Sequence, residues 1–265
     1  MPSVTQICKT VKQPYGGYLS PQKFQNIFLS DEYDYLNPEE ENIPASLVGM
    51  TIDYLTRFYL TNDAENAFII SLQGAKCLDK FYFTKMHVKQ ASGLVQQIKN
   101  INDSDTIIAA CQLAGFDTAF RAGVKTYFPV SKIQPDSKTI QHIQIMMNRM
   151  VQFFKKYGPI VMEGFIFPGA YTPKVTTGDG DFLTAETLWD LKVLKDNRSF
   201  TKVHTLQLLM YYLMGLHSED SNIYQQLTSL GFFNPRTNTV SLLSISEIDD
   251  ITLATVSQEI IGYKI

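Results

Sequence analysis

The chain has 265 residues, of which 45% are hydrophobic and 18% are charged, and its formal net charge is -3. This is the composition of an ordinary globular protein, which excludes a disordered chain. The small negative charge excludes a polycation that coats nucleic acid. Any contact with phosphates must therefore come from a local patch or from bound metal ions.

Cysteines and apolar segments limit the cofactors and the location that we expect. Cys8, Cys77 and Cys111 are far apart and form no C-x-x-C pair, which argues against a zinc site or an iron–sulfur cluster. Scattered thiols suit a reducing cytosol. The N-terminus lacks the apolar core of a signal peptide, and the apolar run 206–216 is too short to cross a bilayer. We expect a cytoplasmic protein without membrane contact.

The first part of the chain changes character at Pro44. Turn-forming and acidic stretches in residues 1–43 predict a loop-rich lead-in. After Pro44, apolar side chains recur at helical spacing, at residues 47, 50, 54 and 58. Further helical patterns follow at residues 63–78, 87–100, 102–123 and 137–158. Residues 1–158 are therefore expected to be a loop-rich lead-in and a helical part.

The second part of the chain has the pattern of short strands around one apolar helix. Strands are predicted at residues 160–167, 179–183, 187–194, 230–234 and 239–245, and helices at 201–217 and 246–262. We find no internal repeat. The pattern predicts a mixed α/β fold in a single domain of residues 1–265, with an α/β core at residues 159–265.

Charged residues interrupt two of the predicted strands. Asp190 and Lys192 are two residues apart and share one face of a strand, while the apolar residues between and around them take the other. Asp181 lies on the preceding strand. If the two strands pair antiparallel, Asp181 and Asp190 lie close together and repel each other. A divalent cation such as Mg²⁺ removes this repulsion, since it binds carboxylates, water and phosphate oxygens.

Three further polar residues lie in apolar surroundings. Glu163 stands alone in the first predicted strand, as either a third carboxylate ligand or an exposed strand residue. Gln207 and Tyr211 are four residues apart and share one face of the apolar helix, with His204 about one turn earlier. Gln207 could instead bond the backbone, and Tyr211 could be part of the core.

The order of these residues resembles the motifs of a nuclease superfamily. Gly178–Asp181 has the form G-x-x-D, Asp190–Lys192 the form D-x-K, and Gln207–Tyr211 the form Q-x-x-x-Y. This series is similar to that of the PD-(D/E)xK nucleases, and its last element is typical of their RecB-like branch. The resemblance covers about residues 160–216 and does not extend to the helical front part.

The resemblance implies a restriction-endonuclease-like core sheet and a nuclease that cleaves DNA phosphodiester bonds with Mg²⁺ or Mn²⁺. It makes Asp181 and Asp190 the metal ligands, together with Glu163, and Lys192 the catalytic lysine. Gln207 and Tyr211 would then support the site or contact DNA, so all six form the expected catalytic set. By analogy, the protein would act in DNA repair, recombination or anti-phage defence, with a helicase or ATPase as a possible partner.

Some features depart from the family pattern. The acid or histidine that many members carry on an early helix has only weak candidates here, Asp53 and His87. Some RecB-like members hold an iron–sulfur cluster with four cysteines, which this chain cannot supply. Lys195, Arg198 and Lys202 form either a phosphate contact or a solvated loop. Two alternatives stay open: a catalytically inactive nuclease fold that serves as a DNA-binding or interaction scaffold, and an unrelated α/β protein with a structural cation site.

Overall fold

The computed structural model describes residues 2–31, 35–196 and 200–264. The chain divides into two compact units. Residues 1–33 and 153–265 form the first, here named the core unit, and residues 34–152 form the second, named the helical unit. The core unit thus contains both ends of the chain, whereas the sequence pattern assigned the N-terminal segment to the front part. The single domain remains a prediction.

The secondary structure of the described residues consists of helices α1–α11 and strands β1–β6. The helices are α1 (Val4–Thr10), α2 (Ala45–Thr61), α3 (Ala64–Ala67), α4 (Ile69–Tyr82), α5 (Met86–Val95), α6 (Ser104–Ala114), α7 (Asp117–Arg121), α8 (Ser137–Tyr157), α9 (Lys202–Leu216), α10 (Ser221–Tyr224) and α11 (Asp250–Thr255). The strands are β1 (Gln25–Phe28), β2 (Ile160–Glu163), β3 (Phe182–Thr184), β4 (Thr187–Leu191), β5 (Ser229–Asn234) and β6 (Thr239–Ser244). A π-helical turn, Val256–Ile261, follows α11.

A mixed sheet forms the centre of the core unit. Its six strands lie in the order β1-β6-β5-β4-β3-β2. Strands β4 and β5 are parallel and the other neighbours are antiparallel. Helix α9 makes the long connection that a parallel pair requires. The structure confirms the predicted mixed α/β class, with helices flanking the sheet.

Helices cover both faces of this sheet. On one face, Leu188 of β4 and Leu230 of β5 belong to the same apolar cluster as most of α9. Helix α9 is apolar around its circumference, as expected of a buried helix. On the other face, the Phe153 ring at the end of α8 lies 4.9 Å from the Trp189 ring and 4.4 Å from the Phe233 ring, measured between centroids. Alternate residues of β4 therefore contact different helices.

The N-terminal segment contains regular elements that its sequence pattern does not predict. Ser3 caps α1 in a capping box with Gln6, and its backbone also bridges to Thr177. Strand β1 pairs antiparallel with β6 at the edge of the sheet. Elements of seven and four residues are too short to show a hydrophobic period, which explains the difference.

The helical unit contains α2 to α7 and most of α8, which confirms the predicted helical character of this region. Two predicted helices are each divided in two, at Phe68 and at Gly115–Phe116.

A buried carboxylate of the helical unit, Asp117, accepts hydrogen bonds from the hydroxyls of Tyr54 and Ser71. Burial raises the pKa of Asp117.

Not one helix within residues 2–31, 35–196 and 200–264 combines the length and the apolar character that membrane spanning requires.

Candidate active site

Asp181 and Asp190 lie close together, just before β3 and near the end of β4. The last antiparallel pair at this end of the two strands joins Phe182 and Trp189. The backbone N–H of Leu191 donates to Asp181 Oδ2 at 2.6 Å, where a continued ladder would use a backbone carbonyl. The Asp181 carboxylate therefore reaches the residue next to Asp190, and both acids lie at the same end of the two strands.

Lys192 and Asp190 form an ion pair at the same place. Lys192 Nζ lies 2.6 Å from Asp190 Oδ2, and Asp190 is only 3% exposed. Lys192 comes just after β4, although the sequence pattern placed it inside the strand. Its backbone N–H still donates to Phe233 O at 3.0 Å, so the ladder with β5 continues to this residue. The two-residue period therefore holds, and both charged side chains meet.

Glu163 is the last residue of β2 and is half-buried. The register pairs it with Phe182, which in turn pairs with Trp189. Because residues alternate between faces, Glu163 shares a face with Trp189 and not with Asp190. Among the described residues, no group of three His, Cys, Asp or Glu side chains is arranged to hold a metal ion. The role of Glu163 as a third ligand stays a prediction.

Gln207 and Tyr211 contact each other on α9, as their spacing predicts. Gln207 Nε2 donates to the Tyr211 hydroxyl at 2.8 Å and to Thr5 Oγ1 at 3.2 Å. Tyr211 is buried. Burial, and next the negative charge of Asp190, raise the Tyr211 pKa well above its ordinary value. Asp179 and Asp181 add to this effect, so Tyr211 is a neutral phenol beside the acids.

Steric crowding requires glycine at both glycine positions of the G-x-x-D motif, Gly178 and Gly180. A Cβ on Gly178 would lie 2.7 Å from Val4 Cγ2, and a Cβ on Gly180 would lie 2.3 Å from the Phe165 ring. Both distances are shorter than van der Waals contact allows. The glycines therefore let the chain pass between α1 and Phe165 and reach Asp181 at the start of β3.

Helix α1 borders the site and was missed by sequence reasoning. It packs along α9 and supplies Thr5, which contacts Gln207. Its Cys8 lies 3.5 Å from Met210, measured between the sulfur atoms. Burial raises the Cys8 pKa to about 12, so the thiol stays protonated. The S-x-x-Q capping box at Ser3–Gln6 is the local signal that could have revealed this helix.

His204 lies in the first turn of α9. Its Nδ1 accepts a hydrogen bond from the Thr201 backbone N–H at 3.2 Å. Burial, followed by the positive charges of Lys192 and Lys9, lowers the His204 pKa to about 4. His204 is therefore neutral near pH 7, and the positive charges of Lys192 and Lys9 both act on its ring.

This lowered pKa predicts a loss of stability in mild acid. The unfolded chain takes up a proton below the ordinary histidine pKa of 6.5, whereas the folded chain does so only near 4. The free energy of unfolding should therefore fall as the pH drops from 6.5 towards 4. In His204→Gln this fall should be smaller, because glutamine can keep the capping bond without titrating. Urea unfolding at a series of pH values measures the slope.

The same measurement contains its own control. At about pH 8 both proteins have a neutral side chain at this position, so their stabilities should be similar. An equal slope in wild type and His204→Gln between pH 6.5 and 4 would contradict the assigned environment of His204.

The other residues named from the sequence lie elsewhere or remain undecided. Asp53 and His87 belong to the helical unit, where they pair with Arg57 at 3.3 Å and with Asp79 at 2.8 Å. The remaining three are the basic residues in and around the loop after β4. Lys195 and Lys202 are exposed, and Arg198 lies outside the described residues.

Comparisons with protein-family models, with curated proteins and with solved structures gave no match for this chain.

Proposed function

We propose that this protein is a metal-dependent nuclease that hydrolyses phosphodiester bonds of DNA, with the restriction-endonuclease-like core of the RecB-like PD-(D/E)xK enzymes. One observation carries the proposal. The Asp181 carboxylate accepts a hydrogen bond from the backbone N–H of Leu191, next to Asp190, and Lys192 Nζ lies 2.6 Å from Asp190 Oδ2. The hydrogen-bonded Gln207–Tyr211 pair on α9 supports it, since burial and the charges of Asp190 and Asp181 all raise the Tyr211 pKa.

The donor set fits a hard divalent cation. Mg²⁺ is usually held by one or two carboxylates and completed by water and substrate phosphate oxygens, and not by a cage of protein ligands. Asp181 and Asp190 would hold Mg²⁺ or Mn²⁺. The bound ion would polarise the phosphodiester and make an attacking water more acidic.

The chain's own residues then have distinct roles. Lys192 stabilises negative charge that develops on the phosphate, or positions the water, because its ammonium lies at the carboxylate where the phosphate would bind. Gln207 orients the Tyr211 hydroxyl through their 2.8 Å hydrogen bond. Lys9 of α1 and Lys202 of α9 are exposed lysines that can contact backbone phosphates.

The scaffold alternative has a specific observation in its favour. Lys192 already offsets the charge of Asp190 at 2.6 Å, so the pair could serve as a structural ion pair without any metal. In that case the protein would be a catalytically inactive nuclease fold that binds DNA or a protein such as a helicase. A role in repair, recombination or anti-phage defence belongs to either version and rests on analogy.

A cleavage assay with metal removal tests the proposal. Purified protein should degrade linear DNA with Mg²⁺ or Mn²⁺, lose this activity in EDTA, and regain it when the metal is restored. Substrates should include linear duplex, single-stranded and circular DNA. The absence of cleavage with every metal and substrate, from protein that is folded by circular dichroism, would contradict the enzyme and favour the scaffold.

A further inference from the structure

A cavity of about 770 Å³ opens in the core unit between the N-terminal segment and the start of α9. Its volume is within the range of pockets that hold a small ligand. Its lining combines the aromatic side chains of Tyr15, Phe24 and Phe200 with the polar side chains of Ser20, Gln22 and Asn26. The described lining residues include no acid, so nothing in the lining repels a phosphate-bearing ligand.

Two aromatic side chains of the cavity lining pack against Phe232, which lies one strand away from Asp190. Phe232 of β5 is the register partner of Asp190, so the two residues share a sheet face and their backbones are about 4.8 Å apart. The Phe200 ring lies 4.6 Å from the Phe232 ring, and the Phe24 ring lies 5.2 Å from it, measured between centroids. The aromatic lining is therefore within the span of one or two nucleotides of the candidate active site.

Hydrogen bonds fasten the wall of the cavity to α9. Gln13 Nε2 donates to Lys202 O at 3.1 Å, and Thr205 Oγ1 donates to Leu19 O. These two bonds hold the segment between residues 13 and 19, which presents the fully exposed ring of Tyr15. Both bonds end in the helix that also positions Gln207. The cavity wall and the candidate active site are thus built on one rigid element.

Two exposed lysines, Lys9 of α1 and Lys202 of α9, belong to the elements that border the cavity and the candidate active site. Lys202 begins α9 next to the cavity wall, where its Cβ would be 2.6 Å from a Cβ on Gly17. Lys9 lies near His204, whose ring centroid is 6.3 Å from that of Phe200. Basic side chains beside aromatic rings are the combination that proteins use to bind unpaired nucleic-acid strands.

We propose that this cavity holds an unpaired nucleobase of the DNA strand whose phosphate lies at Asp190, stacked against Phe200 and Tyr15. The assignment rests on the proposed nuclease function and narrows its substrate to single-stranded DNA or to duplexes with unpaired ends. Ser20, Gln22 and Asn26 can bond the edge of the base. A base within an intact duplex is already paired and stacked, so it cannot enter without unpairing.

A binding measurement in EDTA tests the cavity apart from cleavage. Fluorescence anisotropy is recorded with a labelled oligothymidine, with a blunt duplex and with an oligouridine. Tyr15→Ala and Phe200→Ala should each weaken binding of the single strand by about 10-fold and leave the duplex unchanged. Tyr15→Phe keeps the ring and should bind as wild type. Tyr35→Ala, a matched change of an exposed tyrosine in the helical unit, should have no effect.

The outcomes test the cavity proposal and the nuclease proposal separately. Tyr15 is fully exposed, so Tyr15→Ala should fold even if Phe200→Ala does not. Binding of single-stranded DNA that depends on Tyr15, without cleavage under any metal, supports the cavity and contradicts the nuclease. Cleavage of single strands by Tyr15→Ala at the wild-type rate, with unchanged binding, overturns the cavity and leaves the nuclease intact. The cavity proposal is also overturned if the protein binds the oligouridine but not the oligothymidine, or binds neither of them.

Discussion

Asp190→Asn is expected to lower the rate of DNA cleavage by roughly 10³-fold while the protein stays folded. Asparagine has nearly the shape of aspartate but lacks its charge, so it is a poor ligand for a hard divalent cation. Asp190 is 3% exposed, and the residue after it, Leu191, bonds the Asp181 carboxylate, so Asp190 lies at the centre of the proposed metal site. Single-turnover cleavage of linear DNA under saturating Mg²⁺ or Mn²⁺ measures the effect.

Asp179→Asn is the matched control for this change. Asp179 lies two residues before Asp181 but is exposed, and its replacement removes the same charge from the same region. We expect the control to change the cleavage rate by less than about 3-fold. Water and salt screen an exposed charge, so it has little influence on the reacting groups. If Asp190→Asn cleaved DNA within about tenfold of wild type, Asp190 would not be a metal ligand.

Lys192→Met is expected to damage both catalysis and stability. Methionine has a similar length but no charge, so cleavage should fall by roughly 10²-fold. The change also takes away a positive partner that lies 2.6 Å from the buried Asp190 carboxylate. Breaking a buried pair from one side is costly, but the Lys192 side chain is 20% exposed, which reduces the cost. We expect the free energy of unfolding to fall by about 2 kcal/mol.

A double variant separates the two effects of Lys192→Met. Asp190→Asn/Lys192→Met removes both charges, so it should recover most of the lost stability while remaining inactive. Urea unfolding of the two single variants and the double variant gives the interaction energy. Lys195→Met, a change of an exposed lysine in the following loop, serves as control. Wild-type cleavage by Lys192→Met would exclude a catalytic role for this lysine.

Much of the candidate site follows from local sequence patterns. The two-residue period of a strand predicts that Asp190 and Lys192 share a face, and their 2.6 Å contact agrees with it. The four-residue spacing on a helix predicts the contact between Gln207 and Tyr211, which are hydrogen-bonded at 2.8 Å. These inferences succeed because each concerns residues a few positions apart in one continuous segment of the chain.

The position of Glu163 shows where such inference ends. A lone glutamate in an apolar strand is compatible with either face, and only the register with Phe182 assigns it to the face of Trp189. A shift of one residue in the register would reverse this assignment. Strand register depends on which distant side chains are buried together, so no local pattern contains it.

The N-terminal segment shows the same limit on a larger scale. Its sequence predicts loops, yet α1 brings Thr5 to Gln207 and β1 extends the sheet. Tyr15 and Phe200 are far apart in the chain but line one cavity.

The sequence by itself therefore determined the fold class, the helices with strong periodicity and the charged residues that share a strand face. Only the tertiary structure decided the register, the place of the N-terminal segment and the aromatic cavity. The physical reason is that short elements gain their stability from contacts with distant parts of the chain, and those contacts leave no periodic trace in the local sequence.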